Sequence, residues 1–335
     1  MNHPAFAEQP PSRASAAAPL LQAEGLAVEF DTDDGPVAAV RGVDLSLAEG
    51  EVLGLVGESG SGKSVTCQAL LGLLPGTAKA TGRITVGGEA LTPDDGAAFA
   101  RLRGRTLSMI FQDPMSALDP LMTVRGHLIQ RLKRHAATGD LEAWADSLLR
   151  RAGVADAGRV LRAYPHQLSG GLCQRAAIAL ALAGSPRLLV ADEPTTALDV
   201  TIQAQVLDLL AELRERQGLA VILISHDLGV VAEICDRLAV MYAGEIVEVG
   251  PVEAVLNRPA HPYAAGLVAS RPTLDGPRGA LTTLPGSAPA PGEEVAGCAF
   301  APRCARAADA CAAPPDLSTL TPARLARCHR PLIHG

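Results

Sequence analysis

The sequence predicts an α/β protein built on a mainly parallel β-sheet. Three short runs, at residues 51–56, 188–191 and 220–225, are almost wholly apolar, as strands buried on both faces of a sheet are. Helical stretches at 65–74 and 201–217 alternate with them. This alternation of strands with helices is typical of a parallel sheet with helices packed on its faces.

Further strands and helices surround this core. Segments with strand character, several of them bounded by Gly-Gly or Gly-Pro turns, are predicted at 26–30, 37–40, 83–86, 107–111, 239–241 and 245–249. The segment at 83–86, before Gly87-Gly88, predicts a hairpin strand, and the last two segments predict a closing antiparallel pair. From residue 114 to about 183 the pattern is helical, with a break near 138–140.

Composition sets the domain boundaries and excludes some function classes. The chain has 335 residues, 48% of them hydrophobic, and a net charge of −7, so it can bury a large core and lacks the basic excess of a nucleic-acid-binding surface. Residues 1–20 are rich in Ala and Pro and lack the basic start and apolar block of a secretory signal. We therefore predict that they form a disordered leader. We predict a main domain at 21–255 and an extension at 256–335, where Pro, Ala and Gly dominate.

Residues 57–64 match the phosphate-loop (P-loop) pattern G-x-x-x-x-G-K-[ST]. A predicted strand precedes the loop and a predicted helix follows it, which is the context that favours a P-loop over a chance glycine-rich turn. Backbone N–H groups and the helix N-terminus would then face phosphate oxygens. Lys63 would contact the β- and γ-phosphates and Ser64 would hold Mg²⁺. The predicted nucleotide ligands are Gly57, Ser59, Gly60, Ser61, Gly62, Lys63 and Ser64.

Two adjacent carboxylates end the apolar run at 188–191. Asp192 is predicted to reach the metal through water, as a Walker B aspartate does. Glu193 is then placed to act as general base toward the attacking water. An acidic turn at the end of a strand is common in isolation, but a preceding P-loop and the following run 195–199 favour the catalytic interpretation.

The run Leu168-Ser169-Gly170-Gly171 resembles the signature of the ATP-binding cassette (ABC) family. Other runs resemble further motifs of the family, in its order: a Q-loop at 111–114, Walker B and the D-loop at 191–199, and the switch at 225–227. The resemblance implies a P-loop ABC-type ATPase core: a RecA-like parallel sheet, an antiparallel β subdomain and an α-helical subdomain.

The same resemblance implies roles for individual residues. Alone, Gln112 or His226 could equally be structural, whereas the ordered set of motifs favours function. The implied roles are adenine stacking by Phe30, sensing of the metal and the attacking water by Gln112, γ-phosphate contact by His226, D-loop contact by Asp199, and binding of the opposite subunit's γ-phosphate by Ser169, Gly170 and Gly171.

One cassette cannot complete an ATP site in this family, so a second ABC ATPase subunit is expected, in a heterodimer that closes on ATP and opens after hydrolysis. Cys173 stands where close relatives carry a basic residue. We expect this difference to remove a surface contact or a partner-facing charge.

Three segments resemble the ATPases of oligopeptide and dipeptide importers: 111–120, the R-P-x-H-P-Y-like run at 257–263, and 297–304. This resemblance implies ATP-driven import of di- or oligopeptides, with two membrane permeases and an extracytoplasmic binding protein, at the cytoplasmic face of the bacterial inner membrane. Import of nickel or another small solute stays open, and a soluble ABC ATPase acting on ribosomes or DNA is a remote alternative. For His261, helix capping or packing is expected rather than metal binding.

Four cysteines cluster in the extension with the spacing C-x₅-C-x₆-C-x₁₆-C: Cys298, Cys304, Cys311 and Cys328. Four thiolates suit a [4Fe–4S] cluster or Zn²⁺. The absence of tight C-x₂₋₄-C pairs favours the iron–sulfur cluster. Some members of the importer subfamily that this chain resembles carry such a cluster in their C-terminal extension. Zinc and free thiols stay open as alternatives.

Overall fold

The computed structural model describes residues 18–135, 139–194, 200–270, 284–290, 292–293 and 295–333. The predicted leader lies outside these residues as far as residue 17, and so does Asp199. Leu20, within the predicted leader, is buried with only 2% of its surface exposed.

The described part of the chain contains twelve strands: β1 (Leu21–Thr32), β2 (Gly35–Leu47), β3 (Val52–Val56), β4 (Ala78–Val86), β5 (Glu89–Leu91), β6 (Leu107–Ile110), β7 (Leu188–Asp192), β8 (Ala220–Ile224), β9 (Arg237–Tyr242), β10 (Glu245–Pro251), β11 (Leu317–Thr321) and β12 (Arg324–Arg327). The same residues contain ten α-helices: α1 (Lys63–Leu70), α2 (Gly96–Leu102), α3 (Val124–Arg134), α4 (Leu141–Arg151), α5 (Ala157–Arg162), α6 (Gly170–Leu182), α7 (Val200–Gln217), α8 (Leu228–Ile234), α9 (Val252–Asn257) and α10 (Pro262–Ala269).

The central sheet has eight strands in the order β11-β12-β10-β9-β3-β8-β7-β6. The five strands from β9 to β6 are parallel. Every residue of β3, β7 and β8 is buried, as their continuous apolar runs predicted. The predicted α/β class is confirmed. Because β3, β7 and β8 run parallel, the loops that follow them meet at one edge of the sheet.

The predicted antiparallel β subdomain is confirmed as a second sheet, in the order β2-β1-β4-β5. Its inner face packs with residues of β3 and of α1, such as Leu55, Cys67 and Leu70, in one buried cluster. The sheet thereby lies against the helix that follows the P-loop. Phe30, near the end of β1, pairs with Val37 and Ala78.

The predicted helical subdomain contains α3 to α6, which pack against one another in a cluster of buried aliphatic side chains. Each helix begins at a side chain that accepts a hydrogen bond from the first turn: Thr123, Asp140, Asp156 and Ser169. Asp140 caps α4, which confirms that a new helix begins after the predicted break. Among the described helices, none is both long and apolar enough to cross a bilayer.

The extension is packed onto the main domain and continues its sheet. Strand β12 pairs with β10, and β11 pairs with β12. Tyr263 of α10 and Phe300 lie 4.6 and 5.4 Å, centroid to centroid, from the ring of Tyr242 at the end of β9. These rings are buried together, so the extension and the cassette share one core.

Candidate functional site

A cleft of about 860 Å³ lies at the edge of the sheet where β3, β7 and β8 end. Most of the residues predicted from separate motifs line it, and we refer to it as the P-loop cleft. The predicted residues that line it are Phe30, Gly57, Ser59, Gly60, Gly62, Lys63, Ser64, Gln112, Glu193 and His226.

The P-loop has a backbone shape that requires glycine. Gly62 has φ of 99°, and a Cβ there would lie 2.6 Å from the carbonyl oxygen of Ala39. A Cβ at Gly57 would overlap the carbonyl oxygen of Met241. The loop is therefore pressed against the neighbouring backbone, with no room for larger residues at these two positions.

Lys63, the first residue of α1, folds over the loop. Its Nζ donates hydrogen bonds to the carbonyl oxygens of Gly57 and Glu58, both at 2.9 Å. Burial lowers the pKa of Lys63, while the nearby carboxylates of Glu193 and Asp192 oppose this shift. A cationic ammonium is thus held inside the cleft close to two carboxylates.

Asp192, at the end of β7, lies beside Ser64. Burial is the main cause that raises the pKa of Asp192, and the nearby Ser64 hydroxyl opposes this shift. Within the part of the chain that the structure describes, the buried Oδ1 of Asp192 has no hydrogen-bond partner. A buried, unsatisfied carboxylate oxygen next to a hydroxyl fits Mg²⁺, which prefers oxygen ligands.

Glu193 connects two other predicted catalytic residues. The Nε2 of Gln112 donates to the Oε2 of Glu193 at 3.0 Å, and the Nδ1 of His226 lies 3.5 Å from the same oxygen. Glu193 has φ of 48°, a left-handed conformation that costs energy for a residue with a Cβ. Its amide donates to the carbonyl oxygen of Ile224 at the end of β8, which helps to hold it there.

Part of the cleft wall comes from the extension, which the sequence analysis missed. Pro289 and Ala290 line the cleft together with Phe30 and Val37. Nη2 of Arg41 donates to the carbonyl oxygen of Glu293 at 3.2 Å, which ties this segment to β2. The Pro- and Ala-rich segment carries no motif, so its place beside the P-loop had no signal in the sequence.

The signature residues lie away from the cleft of their own chain. Ser169 caps α6 by accepting a hydrogen bond from the Leu172 amide at 3.4 Å. Ser169 and Gly170 are exposed, and neither they nor Gly171 line the P-loop cleft. Gln174, just beyond them, donates to the carbonyl oxygen of Pro194 at 2.8 Å. The start of α6 is therefore connected to the end of the Walker B segment.

Cys173 was expected to affect a surface contact, and the structure corrects this. Its side chain is 2% exposed, and its Sγ lies 3.4 Å from the carbonyl oxygen of Pro165 and 3.6 Å from the Sδ of Met115. Burial raises the pKa of the thiol. Cys173 faces inward because the first turn of α6 packs this side of the helix against 114–117 and 165–167.

The predicted capping role of His261 is confirmed. Its side chain is 1% exposed, and its Nδ1 accepts a hydrogen bond from the Tyr263 amide at 3.0 Å at the start of α10. Burial lowers the pKa of His261 to about 4. The imidazole is therefore neutral near pH 7, as an acceptor at Nδ1 requires.

The four cysteines of the extension line one small pocket, beside the rings of His261 and Phe300. The Arg306 amide donates to the Sγ of Cys304 at 3.4 Å. None of the four is joined in a disulfide bond. Across the described ranges, however, no group of three or more His, Cys, Asp or Glu residues could hold a metal ion. The predicted iron–sulfur cluster and its zinc alternative therefore gain no support from this arrangement.

Two protein families match parts of the chain. Residues 40–196 match the family described as ABC transporter, and residues 247–311 match the oligopeptide/dipeptide transporter C-terminal region. A Brucella abortus (strain 2308) protein, by name a peptide import ATP-binding protein, is 46% identical over 314 residues, which cover 93% of this chain and 95% of the relative. The oligopeptide transport ATP-binding protein OppD of Escherichia coli (strain K12) is 44% identical over 315 residues, covering 93% and 94%.

Solved structures agree in fold. The ATP-binding cassette MJ0796, solved as a dimer in a post-hydrolysis state with ADP and Pi, is 27% identical with a TM-score of 0.62 and covers 69% of this chain and 98% of its own. CbiO1 of Clostridium perfringens, part of an ABC transporter complex, is 26% identical with a TM-score of 0.60, and the match covers 72% and 91%.

Proposed function

This chain belongs to the ABC transporter family of ATP-binding proteins, and from that membership we propose that it is the ATP-hydrolysing subunit of an importer for di- or oligopeptides. The observation that carries the proposal is that Lys63, Gln112 and Glu193 meet in one cleft at the end of the parallel strands. The transported class rests on relatives such as OppD, whose similarity extends through the extension.

In the P-loop cleft, the amides of the loop and the ammonium of Lys63 bind the β- and γ-phosphates of ATP. Phe30 lies in the same cleft beside Val37, where it supplies an aromatic face for adenine. The cleft volume of about 860 Å³ is ample for one nucleotide.

Mg²⁺ would be held by Ser64, Asp192 and Gln112. The fit rests on the unsatisfied Oδ1 of Asp192 and its contact with the Ser64 hydroxyl. When bound, the ion neutralises charge on the phosphate oxygens, which favours attack at the γ-phosphate.

Glu193 is the proposed general base for the attacking water. Gln112 and His226 contact its Oε2, so these two side chains orient the carboxylate. The side chain of His226 is 66% exposed and lines the cleft, and we assign it to the γ-phosphate. The left-handed backbone at Glu193 fixes the direction of its side chain.

Completion of the site requires a second ATPase subunit. Ser169, Gly170 and Gly171 stand at a helix N-terminus, a favourable place for an anion, yet none of them lines their own chain's cleft. We therefore assign them to the γ-phosphate of ATP held by the partner, and Asp199 to the same dimer interface. We propose that this partner is a related but distinct chain.

Two permease subunits and an extracytoplasmic binding protein complete the proposed importer, with this chain at the cytoplasmic face of the inner membrane as a peripheral subunit. A groove of about 700 Å³ next to Gln112 is lined by Met109, Phe111, Ala117 and His127. Because Phe111 in its wall directly precedes Gln112 in the chain, we assign this groove to a short permease helix. No nucleic-acid partner is proposed.

The test is to tag the full chain, extract it gently from native membranes and identify the proteins that copurify. Two permeases, a second cassette and a peptide-type binding protein are expected. A nickel- or other solute-type binding protein would change the cargo class and leave the ATPase assignment standing. Recovery only in the soluble fraction, or with ribosomes or DNA, would refute the transport function.

The extension's cysteines are proposed to bind a [4Fe–4S] cluster with a structural role. The proposal rests on the resemblance of residues 297–304 to the tail of oligopeptide-importer ATPases; the four cysteines line one pocket, but the described residues offer no arrangement suited to a metal ion. Iron and acid-labile sulfide are to be measured on anaerobically purified protein, with Cys304→Ser as the comparison. Equal iron content and equal folding in the two proteins would refute the cluster, and zinc with no sulfide would support the alternative.

A further inference from the structure

A buried arginine of the extension contacts the P-loop. We propose that Arg303 is a positioning residue for ATP binding: it holds Glu58, the second residue of the P-loop, and neutralises the charge that Glu58 would otherwise present to the phosphates. This inference rests on the proposed binding of ATP at the P-loop. It assigns to the extension a part in the nucleotide site that does not depend on whether the cysteines bind a cluster.

The contact between Arg303 and Glu58 is a bidentate ion pair. Nη1 of Arg303 donates to Oε2 of Glu58 at 2.8 Å, and Nη2 donates to Oε1 at 3.0 Å. The Arg303 side chain is 5% exposed and the Glu58 side chain 29% exposed. The pair raises the pKa of Arg303. Two parallel hydrogen bonds fix the direction of the carboxylate as well as its position.

The backbone of Glu58 is also held on both sides. Its amide donates to the Tyr263 hydroxyl at 2.8 Å, and its carbonyl oxygen accepts from the Nζ of Lys63 at 2.9 Å and from the Ser61 amide at 3.2 Å. Tyr263 belongs to α10, just beyond the cassette. Two side chains of the extension, Arg303 and Tyr263, thus fix the second residue of the P-loop.

The electrostatic reason for this arrangement is direct. ATP is a polyanion, and a carboxylate within the loop that binds its phosphates would repel it. The Arg303 guanidinium cancels that charge locally. The same contact fixes the loop backbone, whose amides must point at the phosphates, and small displacements of such groups weaken binding strongly.

Arg303 is itself held rigidly. It ends the short turn Ala301–Arg303, between Cys298 and Cys304. The Ala301 amide donates to the Cys298 carbonyl oxygen at 2.9 Å, and the Arg303 Nε donates to the Pro285 carbonyl oxygen at 2.8 Å. Its guanidinium lies 5.7 Å from the ring centroid of Tyr242. The turn therefore delivers the guanidinium to Glu58 from a fixed support.

The test uses the purified full chain and measures the Kd for ATP by fluorescence titration, with thermal unfolding recorded for every variant. Arg303→Gln is expected to weaken ATP binding about tenfold, because a charge-assisted hydrogen-bond pair is lost and a carboxylate is left uncompensated. Arg303→Lys keeps the charge without the bidentate geometry and should lose less. Arg306→Gln removes an exposed positive charge three residues away and should bind ATP as the wild type does.

A rescue experiment separates positioning from simple structural support. Glu58→Gln removes the charge that Arg303 neutralises, so adding Arg303→Gln to Glu58→Gln should weaken binding by less than about threefold. If Arg303 only stabilised the extension, the second substitution would cost as much in the Glu58→Gln background as in the wild type. That result would overturn the proposal.

Further outcomes are equally decisive. Wild-type affinity in Arg303→Gln, or in Arg303→Lys if the first variant does not fold, would also overturn the positioning role. Lys63→Ala distinguishes this failure from failure of the proposed function. If Lys63→Ala loses ATP affinity and the Arg303 variants do not, only the positioning role fails; if Lys63→Ala binds normally, ATP binding at the P-loop itself is refuted.

Discussion

Replacing Arg324 by methionine should destabilise the whole fold, because it leaves a buried carboxylate without its counter-charge. Glu248 on β10 is 0% exposed, and Arg324 on β12 is 5% exposed. Nε of Arg324 donates to Oε1 of Glu248 at 3.1 Å, and a second bond comes from Nη2. The amides of Ala260 and His261 donate to Oε2 at 3.0 and 2.7 Å.

The magnitude follows from this geometry. Removing one partner of a fully buried ion pair costs about 3–5 kcal/mol. Since two backbone amides still solvate the Glu248 carboxylate after Arg324→Met, we expect the lower end, about 3 kcal/mol. For a large domain this corresponds to a fall in Tm of about 6–12 °C.

Thermal and urea unfolding of Arg324→Met, with the exposed Arg330→Met as control, measure this effect. Adding Glu248→Gln to Arg324→Met should recover part of the loss, because the unpaired charge disappears. A change of less than about 1 kcal/mol in Arg324→Met would refute the reasoning, since the pair would then behave as a solvated surface salt bridge.

Three further predictions concern the site and its support. Lys63→Ala should weaken ATP binding at least about tenfold, measured as Kd, because the phosphate charge loses its partner; unchanged affinity would contradict the P-loop assignment. Glu193→Gln should bind ATP normally, trap the closed dimer and lower the hydrolysis rate by about 10²–10⁴-fold; full turnover would contradict the general-base role. His261 has a pKa of about 4 in the fold against an ordinary value of 6.5, so it is neutral there near pH 7. As the pH drops from 6.5 to 4, the unfolded chain takes up a proton at this residue before the folded chain does. The free energy of unfolding therefore falls over this range, by up to about 3 kcal/mol. His261→Asn keeps a helix cap without titrating, and unfolding measured from pH 7 to 4 should show a smaller loss; an equal loss would assign the pH dependence to other groups.

The parts of the fold predicted from the sequence are those with a strong local pattern. Strands β3, β7 and β8 are continuous apolar runs, and the break before α4 coincides with an Asp that caps the helix. Cys173 shows where a local pattern misleads. Its place beside the signature suggested a surface position, whereas packing of the first turn of α6 buries it.

The candidate site divides in the same way. Each motif could be identified separately from the sequence. The P-loop is recognisable because phosphate binding needs consecutive backbone amides, and Asp192 and Glu193 are recognisable because they directly follow an apolar strand. The contacts that Gln112 and His226 make with Glu193 depend on the order of the parallel strands. No single motif contains information on that order. The contribution of Pro289 and Ala290 to the cleft had no sequence signal at all.

By itself, the sequence determined the α/β class, the P-loop and the ordered set of cassette motifs, since each depends on residues close together in the chain. The tertiary structure alone decided that the extension supports the nucleotide site. Arg303 and Glu58 are 245 residues apart, and neither side chain indicates its partner by spacing or composition. Such a pair exists only because β12 extends the sheet and the rings of Tyr242, Tyr263 and Phe300 bury the extension against the cassette, which brings two distant charges into a shared, desolvated contact.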